Sequence, residues 1–312
     1  LDRITTEKAS TFLVAVALLF GAGCGGRTVL LDRSKPQPPV ARPDAEPGRP
    51  DTATGSAGAG WLRLLAGALG GDGNIDGVGA AARFRAPHGI ASDGAGSLFV
   101  VDYGTIRRVS IATGEVTTLA GSPGEEDSRD GIGPAARFHS PKGITSDQRG
   151  LVFVADSSNY TIRKIVVATG EVTTLAGTPR QAGSSDGFGA TARFTSPNGL
   201  ASDGEGLLYV ADNAMIRRVV VATGEVTTIA GAAGKPGHAD GIGTAARFTG
   251  SDGLALDSTG SLFVAASSTI RQVNLATGKV TTLAGSPAQE GSDDGIGSAA
   301  RFQTPSALAS DQ

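Results

Sequence analysis

Cysteine occurs once in the 312 residues, as Cys24, histidine three times (His88, His139, His238), tryptophan once and tyrosine three times. One cysteine excludes a disulfide framework and a thiolate-rich metal site. Three histidines leave little for a His-based metal centre, and so few aromatic rings argue against a stacking groove for sugars. Basic and acidic residues nearly balance, 27 against 30, so no clustered basic face is available for nucleic acid. No apolar run reaches the roughly 20 residues that a membrane-spanning helix needs. Glycine is in excess, with 47 residues. That is about twice its ordinary share of roughly 7%.

The longest apolar run is Thr11 to Gly23, TFLVAVALLFGAG, preceded by Arg3 and Lys8 and followed by Cys24. Its 13 residues fit the core of a signal peptide. Gly21-Ala22-Gly23 before the cysteine resemble a bacterial lipobox, although Gly21 stands where that motif usually carries Leu. The resemblance implies cleavage before Cys24 and a lipid on its sulfur. The alternative is a signal peptide cut elsewhere, with Cys24 incidental. Residues 1–24 are read as this signal. Residues 25–60 are rich in Pro, Gly, Ala and charge, without apolar periodicity. Such a stretch cannot bury enough surface to order itself, and it reads as a tether. The expected location is the cell envelope, lipid-anchored on the periplasmic or surface side, with secretion as the alternative.

From Trp61 to Gln312 the chain repeats itself. The tripeptide LAG, once IAG, recurs at Leu65, Leu119, Leu175, Ile229 and Leu283, at intervals of 54, 56, 54 and 54 residues. The longer interval comes from a two-residue insertion within Ser157 to Tyr160. The unit Asp130 to Gly177 predicts four strands, at 143–146, 151–155, 161–167 and 171–176. The second of these is almost wholly apolar, as a strand buried on both faces would be. Four-stranded units repeating every 40–55 residues predict the blades of an all-β propeller.

The pattern P-x-G-[IL]-A, followed by LFVVD, VFVAD or LYVAD and then IR-[RK]-V, resembles the NHL repeat. The DGxGxAARF and EVTTLAG segments are similar to a long bacterial form of that repeat. The resemblance implies a β-propeller whose relatives serve mostly as binding scaffolds and only occasionally as enzymes. Four complete blades end at Gly121, Gly177, Gly231 and Gly285. A lone strand, Trp61 to Ala66, is expected before them and the first strand of an incomplete blade after them. The domain, residues 61–312, therefore reads as an open arc or a ring truncated at its C-terminal end.

Within a blade the strands alternate in direction. The one-to-two and three-to-four turns then share one face, and the two-to-three loops share the other with the connections between blades. Those connections run about 20 residues, from Gly121 to Lys142 for example. Long connections are often functional, so the second face is the expected binding face. On it we place Asp76, Asp130, Asp186, Asp240 and Asp294 of DGxG, and the pairs Arg83-Phe84, Arg137-Phe138, Arg193-Phe194, Arg247-Phe248 and Arg301-Phe302. Their recurrence in every unit reads as architecture. Asp102, Asp156 and Asp212 are expected to clasp Arg107, Arg163 and Arg217 structurally, while Ala266 leaves Arg271 without that partner. Asp72 to Gly77 matches the opening of an EF-hand loop, but its twelfth position is Arg83 where a carboxylate is required.

The residues that vary are His88, Lys142, Asn198, Asp252 and Ser306, each between Pro (Ser251 in the fourth blade) and the start of an innermost strand. They are the candidate binding ring at the mouth of the central channel. The expectation is a non-enzymatic binding or scaffold propeller for a protein, peptide or glycan. It has no catalytic residues, metal, cofactor or nucleic acid, and the membrane is reached through the lipid anchor. The alternative is a metal-dependent propeller enzyme of the gluconolactonase-like or amidating-lyase-like kind. Lys142, a cation in the ring, opposes a divalent ion there.

Overall fold

Each LAG-to-LAG unit folds into one antiparallel sheet. The computed structural model describes residues 63–68, 70–287 and 289–310, and the backbone of two paired strands, Ala15–Leu18 and Thr28–Leu31. Cys24 and the rest of residues 1–62, with the expected signal and tether, lie outside the described residues. The first blade comprises Pro87–Ser92, Ser97–Asp102, Thr105–Ser110 and Glu115–Gly121, from the innermost strand outward. The second comprises Pro141–Ser146, Leu151–Asp156, Thr161–Val166 and Glu171–Ala176. The third comprises Pro197–Ser202, Leu207–Asp212, Met215–Val220 and Glu225–Gly231. The fourth comprises Leu254–Leu256, Ser261–Ala266, Thr269–Asn274 and Lys279–Gly285. Innermost strands touch in sequence, first to second, second to third and third to fourth. Among the described residues the fold is an all-β propeller of four complete blades set as an open arc.

The cores lie between blades. In the second strand of the second blade, Val152 and Val154 pack toward the first blade while Phe153 and Ala155 pack toward the third. Both faces of the strand are covered, so its sequence shows no alternation. Phe138, Phe194 and Phe248 are fully buried at successive blade junctions. Each contributes about 1.5–3 kcal/mol by burial. The insertion in the second blade is a short 3-10 turn, Ser157–Asn159, closed by Tyr160 in the left-handed region at φ 57°.

The long connections meet the second face only at their ends, where Asn159 Nδ2 of a two-to-three loop donates to the Asp127 carbonyl and the Ser158 N–H to the His139 carbonyl. Each connection is a hairpin-shaped strap along the outer edge of the blade that follows it. Gly77–Val78, Gly131–Ile132, Gly187–Phe188 and Gly241–Ile242 each pair antiparallel with the outer strand of their own blade. The tip of the first strap is a 3-10 turn, Gly79–Ala81. The Gly79 N–H donates to the carbonyl of Gly114, in the turn between the third and outer strands. The strap then returns, with Arg83 bridged to Ile75. An outer edge strand presents unpaired N–H and C=O groups, and the strap satisfies part of that row.

The two partial units also differ from expectation. The segment 63–66 is not a strand, and neither is 303–310. A single strand without a neighbour has no ladder to join. Leu65 and Ala66 nevertheless pack on the core of the first blade. The last strap has no outer strand beside it, so Gly295-Ile296 stays unpaired and Ile296 is 94% exposed.

Candidate functional site

One guanidinium organises each blade. In the second blade Arg163 is fully buried. Its Nη1 donates to Asp156 Oδ2 at 2.8 Å and to the carbonyl of Arg137 at 2.9 Å. Its Nη2 donates to Asp130 Oδ1 at 2.8 Å and to the carbonyl of Arg129 at 2.9 Å. Its face lies 5.1 Å from the Phe138 ring centroid. Asp130 also accepts the Thr174 hydroxyl at 2.9 Å. One arginine thus binds the end of the second strand, both limbs of the strap and the aromatic ring between blades. Arg107 does the same with Asp102 and Asp76, and Arg217 with Asp212 and Asp186. The DGxG aspartates therefore stand at the blade edge as architecture, each tying a strap to the arginine of its blade. Arg271 is not without a carboxylate, since Asp240 pairs with its Nη2 at 2.7 Å.

Burial raises the carboxyl pKa of Asp102, Asp156 and Asp212 above the ordinary aspartate value, although backbone N–H donors and the arginine act in the opposite direction. For Asp240 burial also acts upward, but bonds from Thr282 and Arg271 outweigh it and the net shift is downward.

The structure brings the varied ring residues together in neighbouring pairs. Asn198 Nδ2 donates to Asp252 Oδ1 at 3.0 Å. Ser306 lies in the irregular C-terminal segment, with its carbonyl oxygen 2.8 Å from where a Cβ on Gly253 would stand. His88 and Lys142 line one cavity of about 100 Å³ between the first two blades. The pKa of His88 is lowered, by desolvation first and by the Lys142 ammonium second. The ring is neutral at pH 7, so Lys142 supplies the cation.

Three further lining residues come from positions that sequence reasoning did not select. Tyr103 sits in the two-to-three turn at φ 42°, and Arg85 stacks on its ring at 3.9 Å. Glu125 and Glu126 come from the start of the next strap, and Glu126 meets His139 Nε2 at 3.1 Å. A signal for Tyr103 was present, because the same turn position holds Asn213 and Ser267 in later blades. The cavity offers an ammonium, carboxylates, a neutral imidazole and a phenol within one cleft. Among the described residues, no three His, Cys, Asp or Glu side chains converge as a metal-ligand set.

Fold and site together define a propeller-type repeat protein with NHL-like blades. No family model matches the chain. It is 40% identical over 146 residues to NHL repeat-containing protein 2 of Bos taurus, covering 42% of this chain and 20% of that protein. It is 34% identical over 134 residues to the chloroplastic protein SUPPRESSOR OF QUENCHING 1 of Arabidopsis thaliana, covering 40% and 13%. The matched part thus spans a fifth or less of these curated relatives. A Bacteroides thetaiotaomicron structure described as a protein of unknown function aligns at TM-score 0.49 and 21% identity, covering 80% of this chain and 70% of that one.

Proposed function

We propose that this chain is a non-enzymatic binding propeller that captures a peptide, protein or glycan in the cleft between its first two blades. The observation that carries the reading is the cleft itself, where Lys142, His88, Tyr103 and Glu126 from four separate segments line one space. Both charge signs beside a phenol and an imidazole suit a ligand that carries hydrogen-bonding groups of both kinds. We further propose display at the cell envelope through a lipid on Cys24, supported by the apolar run before it and the tether after it. Mass spectrometry of the mature N-terminus tests that part. A lipid-modified Cys24 is expected, and an unmodified start beyond it overturns it.

Binding is tested with purified protein on defined peptide and glycan arrays. Lys142→Glu should weaken the bound members about tenfold or more, which is 1.4 kcal/mol or more. Thr113→Ala and Thr169→Ala, in three-to-four turns, should leave them unchanged. Equal losses at both places would refute the assignment of the face. Metal analysis separates the enzyme alternative: stoichiometric divalent metal that is lost in Asp252→Ala would replace the binding reading.

A further inference from the structure

The fourth blade keeps the buried arginine but not its inner carboxylate. In the third blade, Asp212 Oδ1 accepts the N–H groups of Thr195 and Ser196, both at 2.8 Å, and Oδ2 accepts Arg217 Nη1 at 3.0 Å. In the second, Asp156 Oδ1 accepts the His139 N–H at 2.8 Å while Oδ2 accepts Arg163 Nη1 at 2.8 Å. The corresponding residue of the fourth blade is Ala266, and the segment Thr249-Gly250 stands where Thr195-Ser196 stands. Arg271 is 1% exposed. Its Nη1 retains the carbonyl of Arg247 at 3.0 Å, and its Nη2 retains Ala239 and Asp240. The second Nη1 proton and the Thr249 N–H have no acceptor among the described residues. For Arg271, which is buried, a donor left in this state costs about 1–3 kcal/mol, whereas the Thr249 N–H stands at the exposed rim.

We propose that the fourth blade binds a small monovalent anion of carboxylate size, between Arg271 Nη1 and the Thr249 N–H, in the place that the Asp212 carboxylate takes in the third blade. The guanidinium face is desolvated, which strengthens a charge-assisted bond. Thr249 and Gly250 are exposed, so the ion has a route from solvent. The charge count also fits. In each of the first three blades the arginine holds two carboxylates, whereas in the fourth it holds Asp240 alone. One bound anion brings the fourth blade to the arrangement its three sisters tolerate. Asp252, the nearest carboxylate in sequence, is engaged by Asn198. This inference is independent of the binding cleft between the first two blades.

The test uses the internal mimic. Sodium formate is titrated at fixed ionic strength, balanced with a bulky sulfonate salt, while thermal unfolding is followed. The wild-type midpoint should rise saturably by about 2–4 °C. Ala266→Asp, which supplies the carboxylate within the chain, should melt higher without formate and should not respond to it. An absent response in wild type, or an equal response in both proteins, overturns the proposal. A second measurement covers the case in which the variant fails to fold. Crystals of wild type soaked in bromide should show anomalous density beside Arg271 Nη1 and none beside Arg107, Arg163 or Arg217. Density at all four arginines, or at none, overturns the proposal equally.

Discussion

Arg217→Ala should destabilise the protein by about 3–5 kcal/mol, the cost of stranding one member of a buried ion pair. Such a loss is a large share of the roughly 5–15 kcal/mol that holds a typical domain together. Asp212 is fully buried, and its Oδ2 would lose the guanidinium at 3.0 Å. Asp186 would lose the same partner but is 48% exposed, so water replaces much of what it gives up. The strap carbonyls of Arg193 and Ser185 would lose their donors, and Phe194 its cation. Urea unfolding measures the change.

The fourth blade supplies the comparison. Arg271→Ala strands only Asp240, also 48% exposed, so its cost should be clearly smaller than that of Arg217→Ala. Asp212→Ala should be milder than Arg217→Ala as well, because it reproduces the pairing that Ala266 already leaves in the fourth blade. Equal costs for all three would show that the arginine acts through its aliphatic packing and not through charge. The pH dependence has a fixed sign. Burial raises the Asp212 pKa in the folded state, and removing Arg217 deletes an influence that lowers it. A carboxyl whose folded-state pKa lies above its unfolded value favours the fold at low pH and loses that contribution as pH rises through the raised value. The deficit of Arg217→Ala should therefore shrink as pH falls toward that raised value.

Much of the fold could be read from the repeat alone. The four strands predicted at 143–146, 151–155, 161–167 and 171–176 lie within two residues of those found at each end, because Gly, Asp and Thr mark every turn. The straps could not be read in this way. Asp130 meets Thr174 across 44 residues and Arg163 across 33, and a two-residue strand has no periodicity to detect. Recurrence identified DGxG as architectural but did not show which element it joins. The terminal strands were inferred from sequence identity with their internal copies. Identity of sequence is not enough where no neighbouring strand among the described residues completes the ladder. The ring positions were legible because they vary against a constant background. The contribution of Glu126 was not, since it depends on how the start of a strap lies over the first two blades.

Gly143→Ala and Gly199→Ala should each cost more than about 4 kcal/mol, the range reserved for a specific structural failure. Neither glycine is there for unusual dihedrals, since neither has a left-handed φ. A Cβ on Gly143 would fall inside 3.0 Å of the Asn198 carbonyl oxygen, and one on Gly199 inside 3.0 Å of that of Asp252. Both obstacles are backbone of the next innermost strand, so no side chain can turn aside. The clash can be relieved only by separating two blades, which opens the junction cores holding Ile144, Val154, Leu200 and Val210. Gly206 and Gly260 are the controls, with φ of 114° and 85° and nothing within 4 Å of an added Cβ. Alanine at those two should cost only the backbone strain of about 1–3 kcal/mol. Denaturant midpoints for the four variants decide the matter. If the turn glycines prove as costly as Gly143 and Gly199, close approach of the innermost strands is not what the Pro-x-Gly motif serves. If the order holds, that glycine sets the spacing of the blades around the channel, and the varied residue before it is free to differ from blade to blade.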